Sequence, residues 1–167
     1  MPGNSFIKFD GVPVGESFQE NFSGKDGWIE IGDWSWDVEA ESSFMKGGGA
    51  AVGKATPGAL SFSHYFDKSS PQILRNIVKG VHFATVDIVM CKQTGKHDLP
   101  QEYFRITLKS AFTTKVSTKG GEDGAVAQDV EMVAKDIHIK YKAQDNQGNL
   151  ADAGEFQWDI AGNKLLK

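Results

Sequence analysis

The sequence predicts a mainly β protein, an antiparallel β-barrel with one flanking α-helix over residues 71–79. Three observations predict it. Long stretches alternate apolar and polar residues with a period of two. The phase of that alternation slips at two places, near Gly32 and Asp33 and near Lys135 and Asp136. A single segment carries helix signals that agree with one another. Glycine, at 19 of 167 residues, exceeds the usual share of about 7% and points to many turns.

In chain order, the first strand is read at 6–9. Ile29 and Ile31 then share one parity, while Trp34, Trp36 and Val38 take the other, against Ser35, Asp37 and Glu39. A one-residue slip beside a glycine is the signature of a β-bulge, which bends a strand and lets a sheet curl. Further strands are expected at 60–66 and 81–91. The clearest lies at 104–116, where Phe104, Ile106, Leu108, Phe112 and Val116 oppose Arg105, Thr107, Lys109, Thr113 and Lys115. Val126, Val130 and Met132 precede the second slip, and Ile137, Ile139 and Tyr141 follow it. A last strand at 156–160 turns Phe156, Trp158 and Ile160 inward. Roughly eight strands with two bends make a curled, closed barrel.

The helix follows from Ser69-Ser70-Pro71 at its start and Lys79-Gly80 at its end, a serine cap with proline in the first turn and glycine after the last. Ile73, Leu74, Ile77 and Val78 form its expected apolar stripe, which should lie along the barrel. Three loops stand out: 45–58, with Gly47, Gly48, Gly49, Gly53 and Gly58; 93–101; and 119–124, with Gly120, Gly121 and Gly124. The first is longer than closing a hairpin requires. None separates two self-sufficient cores, so residues 1–167 are read as one barrel domain.

Charge and composition exclude several functions. The net charge is −4 and no basic run offsets it locally, which argues against nucleic-acid binding. One cysteine, Cys91, excludes an intramolecular disulfide or a redox pair and suits a reducing compartment. No apolar run approaches the roughly 18 residues of a membrane span, so no membrane insertion is expected. The first thirty residues hold no apolar signal core, so export from a bacterium would not use the Sec route.

Catalytic and cofactor motifs are weak. The run from Gly48 to Lys54 has Walker spacing, yet Ala55 stands where a Ser or Thr hydroxyl must meet Mg²⁺, and no helix follows. His64, His82, His97 and His138 are scattered without metal-ligand spacing, and His64, on the apolar parity, reads as a hydrogen-bonded wall residue. Cys91 has no local activating group. Glu122 and Asp123 follow two glycines and read as a solvated turn. No cofactor or metal is expected. Trp28, Trp34, Trp36 and Trp158 sit on inward parities and read as core. As stacking platforms they would instead make a carbohydrate-binding, lectin-like barrel, which is the alternative reading. A hydrolase centred on Cys91 is the enzymatic one.

Several segments, in order along the chain, together resemble one family: Phe6-Ile7-Lys8, Gly15-Glu16-Ser17, Trp34-Ser35-Trp36, the glycine loop ending in Gly53-Lys54, Leu60-Ser61-Phe62, Asp67-Lys68-Ser69-Ser70-Pro71, Gly120-Gly121-Glu122-Asp123 and Trp158-Asp159-Ile160. They resemble the Hcp family, the haemolysin co-regulated proteins that build the inner tube of the bacterial type VI secretion system. The stretch 93–101 departs from it, being longer and more polar than a tight family hairpin.

The resemblance implies a structural, non-enzymatic protein. It would form homo-hexameric rings that stack on further rings, meet a spike protein and a sheath, and carry or chaperone effector proteins in the lumen. It would be made in the bacterial cytoplasm and secreted. Ser35, Asp37 and Glu39 are then expected to face the lumen. Ring assembly and stacking are expected to use Lys46, Gly47, Gly48, Gly49, Gly53 and Lys54; Thr94, Gly95 and Lys96; Gly120, Gly121, Glu122 and Asp123; and Ala161. Heterologous head-to-tail contacts close such a ring, and its two free faces repeat into a tube.

Overall fold

The computed structural model describes residues 4–42 and 52–167, with the side chains of residues 41, 42 and 52 left aside. Its strands in order are β1 (Ser5–Phe9), β2 (Trp28–Ile31), β3 (Trp34–Ser35), β4 (Val38–Ser42), β5 (Val52–Pro57), β6 (Leu60–Tyr65), β7 (Phe83–Lys92), β8 (Gln101–Gly120), β9 (Val126–Gln144), β10 (Leu150–Asp159) and β11 (Lys164–Leu165). One helix, α1 (Ser70–Lys79), joins β6 to β7.

All pairings are antiparallel. The main sheet runs β11-β10-β9-β8-β7-β1-β2, and β6 bridges β9 to β3. Because β2 and β3 are consecutive in the chain, the ladder curls back on itself. It is barrel-like rather than a continuously closed ladder, and the short link between Ile31 and Trp34 joins its two ends. There the Gly32 amide donates to the Ser63 carbonyl at 2.7 Å and the Ser63 amide to the Asp33 carbonyl at 3.0 Å. The phase slip expected here as a bulge is therefore a corner, where the chain leaves β1 and takes up β6. The second slip is also a change of partner: β9 pairs with β6 up to Met132 and with β10 from Asp136 onward. Inward parity flips between them, with Val130, Met132 and Ile137 all buried.

The expected strand 104–116 extends further in both directions and is less regular. Ser110 takes a left-handed φ of 51°, so after Ile106 and Leu108 the next buried residue is Ala111. Phe112 turns half outward, against the ring of His82 at 5.2 Å. A register shift between Thr113 and Lys115 restores the phase.

The core inside the curl gathers Ile7, Phe9, Ile29, Leu60, Phe62, Val86, Ile88, Ile106, Met132, Ile137 and Trp158. A second, smaller cluster lies on the opposite face of β1 and β7, where Phe6, Phe22, Trp28, Val89 and Cys91 meet under the 12–27 segment. Phe22 stacks on Phe6 at 5.3 Å and meets the edge of Trp28 at 4.9 Å. Gly15 is required in that cover, because a Cβ there would lie 2.2 Å from the Trp28 carbonyl oxygen.

Helix α1 has the expected ends: proline in its first turn and Gly80 at φ 70°, its amide reaching the Asn76 and Ile77 carbonyls. Ser69 does not cap it through its side chain; its hydroxyl bonds Asp67 instead. The buried face also differs from the expected stripe. Ser70, Ile73 and Asn76 are buried, whereas Val78 is 85% exposed. Asn76 is tolerated inside because Gln72 Nε2 donates to its Oδ1 at 2.9 Å.

Candidate assembly surfaces

The described residues among those singled out from the sequence fall on five places. Ser35 lies on β3, between Trp34 and Trp36, which turn inward and pack against the core. Trp34 stacks on Phe104 at 5.6 Å. Ser35 is therefore forced outward, and it is exposed. Its Oγ lies 2.9 Å from Ser61 Oγ. Register carries this row on from Ser61 to Glu131 of β9 and Lys115 of β8. The next row is Ser63, Asp129 and Ser117. The outer face of β3, β6, β9 and β8 is thus hydrophilic across four strands.

Asp37 and Glu39 do not share that face. The strand expected to run through Val38 ends at Ser35, and the chain turns into the two-stranded ribbon β4-β5, which has no ladder bond to the main sheet. Val38, expected inside, is 47% exposed. Asp37 sits at the point of departure, and Glu39 pairs with Thr56 on the ribbon. Gly53 and Lys54, expected in a loop, belong to strand β5. Lys46, Gly47, Gly48 and Gly49 lie outside the described residues. Opposite residues of the ribbon share a face: Val38, Pro57, Ala40 and Ala55 on one side, Glu39 and Thr56 on the other. An isolated two-stranded ribbon is marginal alone; this one touches the barrel core through Ala55 while Val38 and Ala40 stay exposed.

The remaining loops mark the ends of the long β8-β9 hairpin. Residues 93–100 join β7 to β8 at one end, and 121–125 join β8 to β9 at the other. The first loop is braced. Thr94 is buried, its carbonyl accepts Gln144 Nε2 at 3.3 Å, and Lys96 Nζ donates to Asn149 Oδ1. Gly95 and Lys96 remain exposed. In the second, Gly120 is still strand, the Gly121 amide reaches the Ala125 carbonyl at 2.9 Å, and Asp123 Oδ1 accepts the Ala125 amide. Glu122 and Asp123 are exposed. Ala161 lies elsewhere: its amide donates to the Lys135 carbonyl at 3.2 Å, so its turn sits midway along β9 rather than at an end. That turn folds back into β11, a strand without a sequence signal because both its residues are exposed.

Two of the groups weighed as chemical sites, Cys91 and His64, are buried. Cys91 is buried in the smaller cluster, and burial pushes its thiol up to about 12. His64 is buried, its Nε2 3.0 Å from Gln128 Oε1. Burial lowers its pKa, which keeps the ring neutral. Among the described residues no group of three or more His, Cys, Asp or Glu is placed to hold a metal. Trp28 and Trp158 are buried and Trp34 and Trp36 half-buried, so none offers the open stacking platform a lectin needs.

Known proteins share this architecture. The family described as "Type VI secretion system effector, Hcp" matches residues 6–145. Protein hcp1 of Pseudomonas aeruginosa is 31% identical, with 98% of each chain covered. The crystal structure of Hcp1 from Salmonella typhimurium superposes with a TM-score of 0.75 at 27% identity, over 99% of this chain and 100% of that one. The structure of another type six secretion system protein reaches a TM-score of 0.86 at 22% identity, over 97% and 98%.

Proposed function

The chain belongs to the Hcp family and is a component of the type VI secretion tube; from that premise we propose that it closes into homo-hexameric rings and stacks them, with the ribbon β4-β5 as the element that reaches a neighbour. One observation carries this reading: the ribbon leaves the sheet at Asp37 and Gly58 without a ladder bond to it, and although Ala55 packs against the barrel core, Val38, Ala40 and Glu39 are all open to solvent. A neighbouring copy covers these exposed residues. The loops at opposite ends of β8, around Thr94 to Lys96 and Gly120 to Asp123, suit ring-on-ring contacts. They are small and polar, so they release when delivery is complete.

The role is structural, and the protein travels out with the cargo it carries. Ser35 lies on the hydrophilic four-strand face, which suits a lumen that holds effectors loosely. Asp37 and Glu39 stand off that face, Asp37 where the ribbon departs and Glu39 on the ribbon itself, and would meet cargo there rather than beside Ser35. Spike and sheath meet the ends and the outside of the tube. Negative-stain microscopy of the purified chain tests the reading: rings of six subunits support it, and a uniform field of single barrels at high micromolar concentration refutes it.

A further inference from the structure

Two further exposed surfaces stand out, one of which borders the 121–125 loop where Tyr65 and Phe66 lie beside Gly124 and Ala125. Phe18 is 97% exposed and Tyr65 71%. They flank an open groove of about 630 Å³ that Phe66, Glu16, Asp33 and Asp67 also line and that meets the edge of the hydrophilic face at Ser63. No lysine or arginine lines it. The other surface is the outer side of α1. Ile73 and Asn76 hold the helix to the barrel, so Arg75, Val78 and Lys79 point outward, followed by Val81 at 48% exposure. No carboxylate occurs within the helix. One surface is aromatic with acids, the other aliphatic with bases.

We propose that the Phe18 groove of one copy receives the 75–81 face of the next copy, and that this contact closes the ring. The inference rests on the ring-forming reading above and assigns its surfaces. Apolar side chains gathered into one patch, as Phe18, Tyr65 and Phe66 are, mark interaction sites. Charge selects the pairing: groove against groove opposes carboxylates, helix against helix opposes cations, and only groove against helix brings opposite signs together. Two different patches joined in this way make a heterologous contact, the kind that propagates around a ring rather than stopping at a dimer. Both Phe18 and Val78, unexplained in the single chain, are covered at once.

The test uses the full chain with Phe18→Ser and Val78→Ser made separately, followed by light scattering across dilution. Each variant should raise the concentration at which hexamers form at least tenfold, with an unchanged circular dichroism spectrum. A one-to-one mixture should yield a discrete dimer, because the intact groove of one variant still accepts the intact helix of the other. A second arm reverses charge: Arg75→Glu with Lys79→Glu should disperse the ring, and adding Glu16→Lys with Asp33→Lys should restore it. Wild-type hexamers together with undiminished hexamers in both serine variants, or charge reversal without rescue, would overturn the assignment and leave the ring standing. A wild-type chain that is monomeric throughout would overturn the ring itself, and this contact with it.

Discussion

The Gly58 amide donates to the Asp37 carbonyl across 2.8 Å, and at this bond the ribbon parts from the barrel wall. On one side of it Trp34 and Ser35 pair with Phe62 and Ser61; on the other Val38 pairs with Pro57. The wall carries the buried core and the ribbon touches it through Ala55 without a ladder bond, so the outer part of the ribbon can be perturbed separately.

Excising residues 47–52 should therefore abolish ring or tube assembly while leaving the barrel folded. Thermal unfolding of the dilute monomer should shift by no more than a few degrees, since the excised residues lie beyond the described core. Assembly that survives the excision would remove the ribbon from the account.

Ser35→Gln should leave the rings intact and weaken retention of a co-purifying effector. The longer side chain stands on the polar face beside Ser61 and meets no core atom, so stability should move within about 0.5 kcal/mol. Unchanged cargo retention in a pull-down would place that face away from the lumen.

Stability should fall on acidification through His64. Burial holds its pKa below the ordinary 6.5, so the unfolded chain takes up the proton more readily than the folded one. The stability present above pH 6.5 is lost as pH falls below it, until the lower folded pKa is reached. His64→Phe should flatten that part of the curve. Denaturant melts between pH 7 and pH 5 check this, and an equally steep loss in the variant would assign the effect to other groups.

Within α1, Ile73→Ala should cost about 2–5 kcal/mol, because the side chain is fully buried in the main core. Val78→Ala should cost the monomer no more than about 0.5 kcal/mol. Equal losses at the two positions would restore the helix face expected from hydrophobicity alone.

That last pair shows what the sequence makes legible. Alternation marks strands wherever one face is wet and the other packed, and so β6, β9 and the first half of β8 can be read directly. It also locates the two places where a strand changes partner, although Gly32 and Asp33 read as a bulge where the chain turns a corner. Contacts between distant segments leave no such trace. Phe6 and Trp28 are buried on the far face of their strands only because Phe22 folds over them from the 12–27 cover. Asn76 is buried because Gln72 satisfies it, while a more apolar neighbour, Val78, is left outside. The ribbon is visible in sequence as an overlong glycine loop, but not as two paired strands, since β4 is exposed from Val38 to Ala40 and β5 half-buries only Ala55 and Pro57, too little to impose a period. Ser35 is legible from its flanking tryptophans; the row through Ser61, Glu131 and Lys115 needs the register.

Ring and stack should also differ in strength. Subunit sides removed from water survive dilution and salt, whereas the exposed Lys96 and the Glu122 and Asp123 turn contribute only screened contacts. Native mass spectrometry over a dilution series at two salt concentrations measures both together. A discrete six-subunit species should persist as longer assemblies disappear with dilution and added salt; monomers passing directly to long tubes, with no six-subunit species between them, would contradict ring closure as the stronger contact.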